Sequence, residues 1–179
     1  MRRINVFIVI AIMAAFIFHA VSGSIRLFGA DAGSPRTFAS ICITLVGIHI
    51  VITTILTLRT LLTIKKSGKG YFRENLLFWA RRISGFALLI PLVMHVLIFS
   101  NAGEEAFRLV FFHSGRLISQ ILMVAALALH TLTNIHPLLI GLGAKHHRVL
   151  SADLLFIISV FLFFCCGAFC VYYLRWMAF

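Results

Sequence analysis

The chain has 179 residues, of which 61% are hydrophobic and 12% charged, with a mean hydropathy of +1.06. A water-soluble domain carries about 25% charged residues, so this composition excludes one and describes a protein with almost nothing outside the bilayer. The formal charge of +11 would suggest nucleic acid in a soluble protein. Here the basic residues gather at the ends of apolar runs, which is a topology signal and gives no nucleic-acid partner.

Five apolar stretches approach or exceed the length needed to cross about 30 Å of hydrocarbon. They predict an all-α integral membrane bundle of five transmembrane helices, forming a single domain over 1–179 in contact with membrane lipid. The first, about 4–25, follows Arg2 and Arg3. Its positive start would suit a signal peptide, but the run continues through His19 with no short h-region or cleavage site, so an uncleaved helix is expected. Ser22, Gly23 and Ser24 permit close helix contact. A turn follows, marked by Gly29, Asp31, Gly33 and Pro35.

The second stretch, about 38–64, is rich in Thr and β-branched residues, no obstacle to a helix in lipid, where backbone groups must be satisfied internally. His49 lies near its middle, Thr53 one turn on along the same face. Lys65, Lys66, Lys69 and Arg73 make the most basic connection, continued by Arg81 and Arg82 at the start of the third stretch, about 78–99. Pro91 should bend that helix just before His95. A connection holding Glu104, Glu105 and His113 leads to the fourth, about 117–142, with His130, Asn134 one turn later, and His136 beside Pro137. The fifth, about 154–176, has no histidine and closes on Tyr172, Tyr173, Arg175 and Trp176, an interfacial pattern. Cys42, Cys165, Cys166 and Cys170 all lie in apolar stretches without a CxxC pair and read as small apolar residues.

Loop charge sets the expected orientation. Arg2 and Arg3, the six Lys/Arg of 65–82, and Lys145 with Arg148 fall on one side of an odd-numbered bundle. The other side has Arg26, Arg36, Arg108 and Arg116, and three of the five acidic residues. The positive-inside bias therefore predicts a cytoplasmic N-terminus and an outer C-terminus.

One histidine on each of four helices, and none on the fifth, is more than packing requires. Polar groups inside a membrane bundle are functional by default. At about 1.5 Å per residue, His19 lies about 22 Å and His95 about 26 Å from the cytoplasmic start of their helices, both toward the outer side. His130 and His49 lie roughly 18 and 22 Å from the cytoplasmic ends of theirs, central to inner. Two levels of paired imidazoles could each hold a haem iron, stacking two b-type haems across the membrane. Zinc fits less well, because each level lacks further Cys or carboxylate ligands. Arg81, Arg82 and Ser84 at the inner end, and Arg26, Arg108 and Arg116 at the outer, could meet haem propionates; positive-inside anchoring explains Arg81 and Arg82 equally well. His136 could reach a propionate or face solvent, His146 and His147 read as a solvated basic loop, and His113 as an outer residue at the edge of a quinone pocket.

The block YFRENLLFWARRISGF with His95 beyond it resembles the third helix of the five-helix, two-haem cytochrome b membrane-anchor subunit of succinate dehydrogenase or quinol:fumarate reductase. The specific part is Arg82, Ser84 and Gly85, with a histidine ten residues past the glycine. The resemblance implies axial ligands at His19, His49, His95 and His130, an outer haem between His19 and His95, and an inner haem between His49 and His130. It implies a flavoprotein subunit and an iron–sulfur subunit on the cytoplasmic side of a bacterial inner membrane. Electrons would then pass by the haems to or from a quinone, menaquinone in this reading. Asp31, Glu104 and Glu105 are candidates for proton transfer at the outer face. A di-haem subunit of a hydrogenase, a formate dehydrogenase or a b561-type reductase is the nearest alternative, and a small transporter or assembly subunit using histidines as polar glue is the non-redox one.

Overall fold

The computed structural model describes residues 2–30, 35–67, 76–100 and 112–177. They form five helices, α1 (Arg2–Leu27), α2 (Pro35–Ser67), α3 (Leu76–Ser100), α4 (Ser114–Gly141) and α5 (His147–Met177), with no strand among the described residues. All five are long and apolar enough to cross a membrane. The chain is a multi-pass, all-helical integral membrane protein. The threonines of α2 do not interrupt it, because Thr44, Thr53, Thr57, Thr60 and Thr63 each donate a hydroxyl to the carbonyl four residues back. Their polarity is thus absorbed by the helix itself.

Every helix outruns its apolar stretch, and α5 does so most. It begins at His147 rather than near 154, because the connection from α4 is a tight turn. Gly143 takes φ +77°, its N–H donates to the Ile140 carbonyl, and the Ala144 N–H donates to Leu139, both at 3.0 Å. This left-handed termination closes a helix within a few residues, so His147 and Arg148 belong to α5 and not to a loop. Gly29, at φ +87°, ends α1 in the same way. A Cβ there would collide with the Arg175 guanidinium, which donates to the Phe28 carbonyl at 3.0 Å and ties α5 to α1. Pro91 and Pro137 sit inside α3 and α4 without ending either.

The helices pack as two groups. α2 rests on α1, while α4 packs against both α3 and α5. α1 joins the groups through α5 and, less extensively, α4. Between α1–α2 and α3–α4 the backbones scarcely approach, which leaves a seam. The end where α1, α3 and α5 begin, with Arg3, Arg81, Arg82, Lys145 and Arg148, is here the basic end; the other is the distal end. Tight packing is concentrated distally, where Leu27, Phe112, Ala168, Phe169 and Tyr172 form a buried cluster. Phe112 meets Tyr172 edge-on at 5.1 Å between ring centres. Phe156, Phe163 and Phe164 of α5 face outward, a position that lipid tails make as comfortable as a core.

Candidate functional site

The seam is where the four histidines meet. His19 and His49 come from the α1–α2 side, His95 and His130 from the α3–α4 side, and all four are half-buried. The rings of His19 and His95 stand 6.0 Å apart, centre to centre, at 89°. His49 and Arg82 both lie within electrostatic reach of His130. His19 therefore meets His95 ring to ring, and His49 lies on the level of His130 within electrostatic reach, each pair drawn from helices whose backbones stay apart. A metal-bound imidazole nitrogen lies about 2 Å from its ion with the ring centre about 1 Å behind, so two rings on opposite sides of one ion stand about 6 Å apart. The His19–His95 separation matches that figure. Among the described residues no group of three or more His, Cys, Asp or Glu side chains is placed to hold a metal ion; the donor chemistry on offer is two imidazoles per level.

Three of the four rings are held from behind by a side chain on another helix. His95 Nδ1 lies 2.7 Å from Gln120 Oε1 on α4. His49 Nδ1 lies 3.0 Å from Asn5 Oδ1 on α1. His130 Nδ1 lies 3.1 Å from Ser84 Oγ on α3, whose hydroxyl also reaches the Arg81 carbonyl. The Ser84 hydroxyl can serve His130 Nδ1 as donor or acceptor, but an amide oxygen can only accept, so at His95 and His49 Nδ1 carries the hydrogen. Nε2 is left with its lone pair, the state a ligating histidine needs. Asn134 adds a bond to the His130 carbonyl at 2.7 Å and a longer approach of 3.4 Å to its Nδ1.

Arg82 completes the basic level. It lies within electrostatic reach of His49 as well as His130, its guanidinium sits 5.1 Å over the Phe78 ring, and its Nε is buried with no hydrogen-bond partner among the described residues. The described residues contain one acidic side chain, Asp153, which is exposed on α5. A buried cationic donor without an acceptor is costly, and an anionic group entering the seam would relieve it. Gly85 keeps the seam open beside His130: a Cβ there would press on His130 Cε1 at 3.3 Å.

The other expected residues sit as follows. Ser84 is turned onto His130, and Arg81 Nε donates to the Thr133 carbonyl at 3.0 Å, tying α3 to α4. His49 lies nearer the boundary than its central-to-inner estimate, since its partner Asn5 is in the first turns of α1. His136 stacks edge-on against His147 at 4.9 Å. His113 caps α4, accepting from the Gly115 N–H at 3.2 Å, and with Met94, Leu97, Ile98 and Arg116 lines an open distal groove of about 380 Å³. Asp31, Glu104 and Glu105 lie outside the described residues. Asn5 and Gln120 carry little signal in the sequence: each is a lone amide in an apolar run, one two residues past Arg3 and the other ten before a histidine. No family profile, curated protein or solved structure matches the chain.

Proposed function

We propose that the chain is a di-haem cytochrome b subunit, the membrane anchor of a bacterial succinate:quinone oxidoreductase, carrying electrons between an iron–sulfur subunit and a membrane quinone such as menaquinone. The observation that carries this reading is the pairing of four histidines across one seam, with Nδ1 of three of them engaged and Nε2 left to bind. Zinc would want more ligands than each level offers. The choice of this complex among di-haem cytochromes rests on the Arg82, Ser84, Gly85 and His95 block.

In this reading His19 and His95 hold the distal haem and His49 and His130 the basic-end haem. When bound, these groups supply one-electron carriage across the apolar interior. Asn5, Ser84 and Gln120 orient three of the ligands. Arg82 offers its buried N–H to a haem propionate, a charge-assisted bond of the strong kind. The flanking rings, Phe99 and Phe169 at 4.9 and 6.2 Å from His95, keep water from the distal level. The basic end would face the iron–sulfur and flavoprotein subunits, the latter handling succinate and fumarate. The distal groove, apolar with His113 and Arg116 at its edge, has the character of a quinone site, with Asp31, Glu104 and Glu105 as proton donors.

A reduced-minus-oxidised visible spectrum of the purified protein tests the haems, and a b-type α-band is expected. Its absence overturns the reading and leaves histidines serving as helix glue. Co-purifying flavoprotein and iron–sulfur subunits are expected; a hydrogenase or formate dehydrogenase in their place keeps the haems and overturns the complex.

A further inference from the structure

Gln120 has 0% of its surface exposed, and it is the largest fully buried side chain of the described residues. Burying a primary amide costs several kcal/mol unless its groups are paired. Both ends of this one are paired, in a single direction. Ser119 Oγ donates to the Arg116 carbonyl at 2.7 Å, so its oxygen is free to accept. Gln120 Nε2 donates to that oxygen at 3.0 Å, which turns Oε1 toward His95 Nδ1 at 2.7 Å. The series runs from imidazole to amide to hydroxyl to backbone carbonyl, each group donating to the next, and such chains polarise one another. Its end lies in the first turn of α4, where the helix backbone is fixed by the His113 cap.

Resting on the proposed haem reading, we infer that Gln120 is a positioning residue that locks His95 in the Nδ1–H tautomer and sets how strongly its Nε2 donates to the distal haem iron. The bland role for a buried amide is to glue two helices together. The geometry asks for more, because the 2.7 Å bond fixes ring orientation as well as helix contact. Outer-shell acceptors of this type raise the basicity of a ligating histidine. A stronger acceptor gives the ring more imidazolate character and favours the oxidised iron; removing the acceptor does the reverse. Among the described residues the other neighbours of His95 are the rings of His19, Phe99 and Phe169, none of which offers an amide or hydroxyl in place of Gln120.

The test is a redox titration of the full-length protein, followed optically and by low-temperature electron paramagnetic resonance, in wild type, His95→Ala, Gln120→Glu and Gln120→Leu. His95→Ala marks which haem is distal. Gln120→Glu should lower the midpoint potential of that haem and move its ferric signal, leaving the other haem unchanged. Gln120→Leu should raise the potential or reduce occupancy of the same haem, with occupancy restored by Glu. Because Glu nearly matches Gln in shape, it carries the test even where Leu impairs folding. Variants that leave the distal haem unaltered, or shift both haems equally, overturn the inference and keep the haem reading. A wild-type protein without b-type haem overturns the proposed function itself.

Discussion

The distal and basic levels present the same side chain, histidine, in opposite surroundings. At the distal level His95 lies among the rings of His19, Phe99 and Phe169, beside the buried Phe112–Tyr172 cluster, and touches one buried amide. At the basic level His130 is met by Ser84 and Asn134, with Thr133 and Arg82 nearby, while His49 rests on Asn5. Along α3 and α4 the two levels are about 16 Å apart, counted from Ser84 to His95 and from Gln120 to His130 at about 1.5 Å per residue. At the dry level His95 depends on packing and on its hydrogen bond to Gln120. A wet level spreads the same task over several polar side chains, and should lose less when any one is removed.

On the proposed haem reading, the largest effects come from the four histidines themselves. His95→Ala and His130→Ala should each remove about half of the b-type absorbance, and the two losses should belong to different haems, because each haem needs two axial nitrogens. Difference spectra at low temperature check this; loss of the same haem in both variants would break the pairing. Phe169→Ala comes next. Phe169 is buried between α3 and α4 partners at the distal end, and truncating a buried ring costs about 3 kcal/mol through the cavity it leaves. Thermal or detergent denaturation should register that loss, and the haem released first should be the distal one.

The fold was legible in this sequence because the bilayer enforces it: five runs of apolar residues have little choice but helix. The histidine levels were legible for a related reason, since distance along a straight helix converts residue number into depth. Helix ends were read less well. The α4–α5 connection reads as a loop in the sequence, and the left-handed glycine at 143 shortens it to a turn. The partners of the histidines were hidden for a different reason. Which lone amide meets which ring depends on how the helices rotate and cross, and nothing in the spacing of Asn5 or Gln120 encodes that. Ser84 shows the same limit, since its position beside Arg82 suggests a propionate contact while its contact with His130 is not encoded in the spacing.

Arg82 offers a sharper comparison than the ligands do. Arg82→Gln removes the buried cation and its unmet donor from the basic level alone. Haem should dissociate from that level about tenfold faster, the worth of one charge-assisted hydrogen bond, and its midpoint potential should fall because a nearby positive charge no longer favours the reduced state. Apo-myoglobin capture of released haem and a redox titration measure both. An equal effect on the distal haem would show that the two levels do not respond separately.

The smallest effect should fall on Ser84, and its smallness is the point. Ser84→Ala deletes the hydroxyl partner of His130 Nδ1, and losing one such bond costs about 1 kcal/mol. Asn134 already stands 3.4 Å from that nitrogen. By turning its amide over it can present Oδ1 there, giving up its 2.7 Å bond to the His130 carbonyl. The haem held by His130 should therefore keep its occupancy in Ser84→Ala with a small shift in potential, whereas Asn134→Leu in the same background should shift it by more than the two single changes together, because neighbours sharing one partner do not act additively. Among the described residues His95 Nδ1 meets Gln120 and no second such partner, and Gln120→Leu should already match the double variant. Redox titrations of the four proteins decide it: strictly additive shifts at His130 would mean that the wet level has no reserve, and that its difference from the dry one is only in polarity.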